Sequence, residues 1–236
     1  MTTILSVLAY GSRARGDLDK YSDFDIVAVV DAGPPSVVTW NRAKGLSYPR
    51  DQVLLAARNG DLFVYHLVSE GAVVFEREPV FAEIQSAFQF REDYTEDIRK
   101  ASDVGWLLLH HRDKALDVVR FNRRMAWCTY TMIVARAAMA RTPVFSAAGL
   151  ANFAEHEAIG TVLRNKRKRA MNLDTVDKFR RILEQFGTPE PEPLATLWEE
   201  WRRFRADRNP AGIVAIRALR RRVVGPNSEG GPDVAA

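Results

Sequence analysis

Two aspartates near the amino terminus have a type and spacing that suit phosphate chemistry. Asp23 and Asp25 are two residues apart at the start of an apolar run that is rich in Val and Ile. A β-strand would project both carboxylates from the same face, because side chains alternate along a strand. Two like charges held side by side repel each other unless a divalent cation neutralises them. The pattern therefore predicts a pair of metal-binding acids.

A glycine and a serine precede this pair at the end of another apolar run. Gly11-Ser12 follows the run from Ile4 to Ala9, and a glycine lets the backbone approach a bound group without a side chain in the way. The Ser12 hydroxyl and the next backbone amides can donate hydrogen bonds to a phosphate at the start of a short helix. The segment is predicted to form a strand, a tight turn with that helix, and a second strand. We interpret it as a phosphate cradle that faces the two acids.

Three groups of residues in this segment resemble the signature of one enzyme superfamily. Gly11-Ser12, Ala14-Arg15-Gly16 and Ser22-Asp23-Phe24-Asp25 are similar to the motif of the DNA polymerase beta-like nucleotidyltransferases, especially the minimal and kanamycin-type members. Several fixed positions in one strand-turn-strand context make this resemblance more specific than a lone glycine motif. It implies transfer of a nucleoside monophosphate from a nucleoside triphosphate, with ATP as the expected donor, to a hydroxyl acceptor with release of pyrophosphate.

The resemblance also implies roles for individual residues. The catalytic residues would be Asp23 and Asp25, which would hold Mg²⁺ or Mn²⁺. The nucleotide-binding residues would be Gly11, Ser12 and Arg15, and the arginine would add a bidentate phosphate contact that a lysine does not reproduce.

A third carboxylate is the main departure from the superfamily's pattern. The superfamily normally supplies one from a later strand, where it completes a two-metal site and helps to deprotonate the acceptor, but residues 36–48 contain no Asp or Glu. The next acids, Asp51 and Asp61, are the candidates for a third acid, although the roles expected of them are to stabilise a first helical turn and to cap a helix. Three outcomes stay open: two acids suffice, another residue completes the site, or the site binds nucleotide without efficient turnover.

Two functions of different classes fit these residues. The first is a metal-dependent nucleotidyltransferase that modifies a protein, an RNA or a small molecule. The alternative is a nucleotide- or RNA-binding regulatory module, similar to an antitoxin, that acts by forming a complex. Both halves of the motif are intact, which favours the enzyme.

Composition sets broad limits. The chain has 236 residues, a formal net charge of +4 and a sequence pI near 9.3, which favours anionic partners. Its one cysteine, Cys128, allows no internal disulfide and lies in an apolar helical pattern, where a packing role is expected. No run is apolar and long enough to cross a membrane, and the start of the chain lacks the features of a secretory signal. A cytoplasmic location without membrane contact is therefore expected.

The order of predicted elements indicates an α+β fold. Residues 1–78 are predicted to form a small mixed β-sheet nucleotidyltransferase domain, with neighbouring strands at 4–10 and 24–31, an irregular third strand within 36–48, and helices at 49–59 and 62–70. On the second helix, His66 is interpreted as a core histidine bonded to a backbone or carboxylate group, and Glu70 as a helix end. A last short strand is expected at 72–75.

The rest of the chain has helical periodicity. Residues 79–224 are predicted to form an antiparallel helical bundle that binds the acceptor or a partner, with helical regions at 81–109, 115–141, 145–153, 174–186 and 194–222, the last one broken near Asn209-Pro210. Residues 225–236 are predicted to be a disordered tail.

The predicted bundle contains a dense basic run. Arg164–Arg169 reads Arg-Asn-Lys-Arg-Lys-Arg and is interpreted either as a solvated helix face or as a landing surface for an anionic partner. The basic runs lack the interleaved aromatic residues that stack bases, so the sequence does not indicate recognition of single strands.

Overall fold

The computed structural model describes residues 2–11, 14, 16, 25–40 and 43–219. In this part of the chain, five strands form one mixed sheet and ten α-helices accompany it. The predicted α+β fold class is therefore confirmed. None of the helices in the described ranges is both long and apolar enough to span a membrane.

Contacts divide the chain into two compact units. The first unit runs to Glu92 and includes Ala138–Ser146, and the second comprises Asp93–Ala137 and the residues from Ala147 onward. The functional division predicted at residue 78 stays a prediction. In the first unit the described strands and complete helices are β1 (Ile4–Tyr10), β2 (Asp25–Val30), β3 (Ser36–Trp40), β4 (Ala43–Pro49), α1 (Arg50–Arg58), α2 (Leu62–Glu70), β5 (Ala72–Glu76) and α3 (Val80–Ala87).

The sheet has the strand order β3-β4-β2-β1-β5. Strands β2 and β4 are parallel, and the other neighbouring pairs are antiparallel. The prediction that β1 and β2 are neighbours is confirmed. The segment 36–48, predicted as one irregular strand, instead forms β3 and most of β4, which pair with each other.

Apolar side chains fix the helices of the first unit on the sheet. Leu8 of β1 and Val27 of β2 are buried against Leu67 of α2 and Phe81 of α3. Helix α2 begins where Asp61 accepts hydrogen bonds from the next backbone amides, at 2.8 Å and 3.2 Å, as the sequence predicts. This packing fixes β1 and β2 on the helices, and their ends at Tyr10 and Asp25 lie side by side.

The second unit is helical throughout its described residues. Its helices are α4 (Thr95–His110), α5 (Val118–Met139, whose last residues lie in the first unit), α6 (Ala147–Phe153), α7 (Glu157–Arg164), α8 (Leu173–Phe186), α9 (Leu197–Ala206) and α10 (Pro210–Leu219). Short 3-10 turns lie at Arg112–Lys114 and Asn165–Arg167. The break predicted near Asn209-Pro210 is confirmed, whereas α7 was not predicted. The tail 225–236 lies outside the described residues.

One predicted helical region is wrong, because it consists of two helices and not of one. Residues 81–109 form two helices, because α3 ends at Ala87 and α4 begins at Thr95. Phe88 has an extended backbone, and its ring stacks on Tyr65 with centroids 5.9 Å apart. The Gln89 amide donates to the carbonyl of Ala57 at 3.0 Å. These tertiary contacts replace the hydrogen bonds that would have continued the helix.

Candidate active site

The ends of β1 and β2 bring a glycine and an aspartate together. In the antiparallel register, Tyr10 is the partner of Asp25, so Gly11 follows directly beside the start of β2. Gly11 is buried and has a φ of 78°, a conformation that favours glycine. A Cβ atom at this position would lie 2.9 Å from Oδ2 of Asp25. Only a residue without a side chain lets the backbone pass this close to the carboxylate.

Tyr10 lies beside this carboxylate, and Tyr48 packs on the same apolar cluster as Tyr10. Burial raises the pKa of Tyr10 well above its usual range, and the negative charge of Asp25 raises it further, followed by Tyr48. Burial also raises the pKa of Tyr48, and the Asp61 carboxylate adds to this rise. A phenol is already neutral near pH 7 at its ordinary pKa, so the rise keeps both O–H donors in alkaline solution as well. Asp25 thus lies next to a tyrosine, Tyr10, that packs on the buried apolar cluster between the sheet and its helices.

The neighbouring parallel strand offers no acid beside Asp25. In the register of β2 and β4, the partner of Asp25 is Lys44, and β4 contains neither Asp nor Glu. Asp51 is an exposed residue in the first turn of α1. Asp61 caps α2 with its carboxylate. Both acids therefore have the local helical roles that the sequence predicts for them.

His66 and Glu70 form a hydrogen-bonded pair one turn apart on α2. Nε2 of His66 lies 2.8 Å from Oε2 of Glu70, and the side chains are 14% and 13% exposed. The interpretation of His66 as a core histidine bonded to a carboxylate is confirmed. Its ring lies edge-on to Tyr10, with centroids 5.3 Å apart, and stacks on Phe145 at 4.4 Å.

The i,i+4 spacing of His66 and Glu70 predicts such a pair. Its position beside Tyr10 depends on how α2 packs on the sheet, which local sequence does not show. The sequence analysis also missed Tyr10, since an aromatic residue at the end of an apolar strand carries no separate signal.

The structure places only part of the predicted site. It brings together Gly11 and Asp25, while Ser12, Arg15 and Asp23 lie outside the described residues. Divalent cations such as Mg²⁺ bind hard oxygen donors, and the Asp25 carboxylate beside the bare Gly11 backbone is such a donor. Asp25 thus fits the predicted ion. Among the residues that the structure describes, no group of three or more His, Cys, Asp or Glu side chains could hold a metal ion.

A family model and a solved structure are similar to this chain. The model of a nucleotidyltransferase domain family matches residues 2–103. Among solved structures, the chain is similar to a nucleotidyltransferase-like protein from Exiguobacterium sibiricum, with 12% identity, a TM-score of 0.32, and coverage of 94% of this chain and 90% of that one. No curated protein matches the chain. The matched range, residues 2–103, contains the five described strands and the strand ends at Gly11 and Asp25.

Proposed function

We propose that the chain is a metal-dependent enzyme that transfers a nucleoside monophosphate from a nucleoside triphosphate, with ATP as the expected donor, to a hydroxyl acceptor. The observation that supports this most directly is the close approach of the Gly11 backbone to the Asp25 carboxylate. A polyphosphate at the glycine would then lie next to the acid that binds its counterion. The family match over residues 2–103 supports the reaction class.

In this reaction, the acceptor oxygen forms a bond to the α-phosphorus, and the bond from that phosphorus to the β-phosphate bridging oxygen breaks. Pyrophosphate leaves, and the acceptor proton passes to water. Asp23 and Asp25 would hold Mg²⁺ or Mn²⁺, and the bound ion would supply charge neutralisation to the phosphates and a lower pKa to the acceptor hydroxyl. The backbone after Gly11, the Ser12 hydroxyl and Arg15 bind the phosphates where negative charge develops.

Tyr10 lies beside Asp25. Burial and the negative charge of Asp25 raise the pKa of Tyr10 above its usual value, so the phenol stays protonated in alkaline solution as well. Tyr10 remains a neutral O–H group close to Asp25. The only ionised group that this part of β1 and β2 presents is then the carboxylate itself.

Incubation with labelled nucleoside triphosphates, Mg²⁺ and candidate protein, RNA and small-molecule acceptors tests the proposal. Asp23→Asn and Asp25→Asn should each lower label transfer about a hundred-fold or more, because each removes a charged metal ligand. Asp31→Asn is the matched control, since Asp31 lies past the other end of β2 and accepts a hydrogen bond from the Thr3 amide at 2.8 Å. Equal transfer by wild type and Asp25→Asn would contradict the assigned role.

A second candidate function rests on the absence of an acid in β4. With Lys44 at the register position of Asp25, the chain could instead be a regulatory module that binds nucleotide or RNA without efficient transfer. Tight binding of a nucleoside triphosphate, abolished by Asp25→Asn, with no label transfer to any acceptor would favour this function over the enzyme.

The basic run Arg164–Arg169 supports an anionic partner for either function. The run is held in place from both sides, because the Asn122 amide donates to the carbonyl of Lys168 at 2.9 Å and the Asn165 amide donates to Thr175 Oγ1 at 2.9 Å. Lys166 and Arg169 are exposed. A fixed loop with exposed cations can bind an anionic surface at a small cost in conformational entropy.

A further inference from the structure

Helix α9 has two unlike faces. Its buried face carries Glu200 and Phe204, which are almost fully inaccessible to solvent. The opposite face carries four residues at the i, i+3, i+4 and i+7 positions that share one side of a helix: Trp198, Trp201, Arg202 and Arg205. A capping box between Thr196 and Glu199 fixes the start of the helix.

The aromatic residues of this face form an ordered stack. The rings of Trp198 and Trp201 have centroids 4.8 Å apart and an interplanar angle of 11°. The Arg205 guanidinium lies 5.0 Å from the centroid of Trp201. Trp201 thus contacts both a cation and a second indole, while Trp198 is 55% exposed.

The four residues of this face include two cations and no acid. Arg203 is paired with the buried Glu200 at 2.7 Å, and the Glu199 carboxylate accepts from the amide and hydroxyl of Thr196. Arg202 and Arg205, by contrast, have no carboxylate within 4.0 Å in the part of the chain that the structure describes. The exposed stack is therefore flanked by two arginines whose charge is not neutralised.

We propose that this face of α9 binds single-stranded nucleic acid. A base would stack on the exposed ring of Trp198 and so add one more flat group to the Arg205 guanidinium and the two indoles. The phosphates would bind Arg202 and Arg205. A duplex hides the faces of its bases within its own stack, so it cannot use the indole in this way. A protein partner would need carboxylates placed beside aromatic groups, whereas any base and its phosphate supply both contacts together.

This face was not predicted from the sequence. The basic run at Arg164–Arg169 contains no aromatic residue, and both tryptophans precede Arg202 and Arg205 in the sequence. The helical spacing from Trp198 to Arg205 places the tryptophans and arginines on one surface. This spacing is evident only when the bounds of α9 are known.

Binding of a fluorescein-labelled RNA of about a dozen nucleotides to the full chain, followed by fluorescence anisotropy, tests this proposal. Trp198→Ala should weaken binding about tenfold or more, whereas Trp198→Phe should retain most of the affinity because a ring still stacks. Arg202→Gln with Arg205→Gln should make affinity less dependent on salt. The matched controls are Leu116→Ala and Arg58→Gln, which remove an exposed apolar and an exposed basic residue elsewhere.

Single-stranded DNA of the same sequence should bind similarly, because stacking does not involve the 2′-hydroxyl, and the duplex should compete poorly. Equal affinity of wild type and Trp198→Ala would overturn the proposal, as would failure of the wild type to bind either strand. If Trp198→Ala instead abolished self-association of the chain in sedimentation experiments and left RNA binding intact, the face would be a protein contact. None of these measurements depends on transferase activity, so the proposal can fail or hold independently of the proposed function.

Discussion

At the scale of single residues, the site depends on what Gly11 lacks. Its backbone conformation has a positive φ, and a Cβ atom would contact the Asp25 carboxylate. Glycine is therefore required at this position for two separate reasons: its backbone adopts a positive φ without strain, and there is no room for a side chain. Both lead to the same residue, and both protect the geometry that a bound polyphosphate would need.

We predict that Gly11→Ala lowers the free energy of unfolding by about 1–2 kcal/mol through backbone strain and also abolishes nucleotidyl transfer, because the new methyl group displaces the Asp25 carboxylate. Urea denaturation and the label-transfer assay measure the two effects. Gly33→Ala provides a matched control, since Gly33 has a φ of 112° and its added Cβ would meet only Thr2 Oγ1 at 3.6 Å. A similar loss of stability in both variants, with transfer lost only in Gly11→Ala, is expected. Full transfer by Gly11→Ala would show that the contact has no catalytic importance.

The sequence predicted some of these residues and not others for a clear reason. Gly11 and Asp25 belong to a local motif that can be recognised from the spacing of its residues in the sequence. The raised pKa of Tyr10 and the contact of its ring with His66 depend on the packing of α2 against β1. Contacts between residues that are distant in sequence leave no local pattern in a single chain.

At the scale of elements, strong caps and apolar periodicity were sufficient for most helices. Asp61 caps the start of α2, and Glu70 ends it, as predicted. The failure at Phe88 has the opposite cause, because its apolar side chain continues the helical pattern of α3 while the ring packs against Tyr65 outside that helix. Helix α7 was missed although Ile159, Val162 and Leu163 have helical spacing and are buried. Gly160 and the adjacent basic run weakened that pattern.

The end of α4 carries a buried histidine whose protonation is coupled to stability. His111 is 4% exposed, and the Lys114 ammonium, which can only donate, lies 2.9 Å from its Nδ1. Nε2 therefore carries the proton of the neutral ring, and it lies 3.7 Å from Oε1 of Glu200 on α9. Burial lowers the pKa of His111 below its ordinary value of 6.5, and the charges of Lys114 and His110 lower it further, although Asp113 opposes them. Arg203 partly neutralises Glu200.

The sign of the pH effect follows from this lowered pKa. Below pH 6.5 the unfolded chain binds a proton at His111 before the folded chain does, so the free energy of unfolding falls as the pH falls. We predict that His111→Gln reduces this loss when melting temperatures are compared from about pH 8 to about pH 5. Lys114→Met should also reduce the loss, because it removes a cation that keeps the ring neutral. Parallel pH profiles for wild type and His111→Gln would contradict the assignment.

At the scale of the whole molecule, the one cysteine offers a direct probe of the helical unit. Cys128 lies in α5 with no exposed surface, and burial raises the pKa of its thiol far above its usual range. A thiolate is the reactive form, so both access and ionisation prevent reaction in the folded chain. The helices of this unit must separate before a reagent can reach the sulfur.

We predict that a thiol reagent labels Cys128 in the native chain at least about a thousand times more slowly than in the urea-unfolded chain, because reaction requires an open form that is rarely populated. Mass spectrometry of samples quenched at successive times measures the rate, and Cys128→Ala provides the unlabelled control. As urea is added, the midpoint of labelling should coincide with the loss of helical circular dichroism, since Cys128 lies among buried apolar residues of α5 such as Met125, Met132 and Ile133, which become exposed when the helices unfold. Labelling that precedes the loss of helix would show that α5 is exposed by a local opening, whereas rapid labelling without urea would contradict the burial of this side chain.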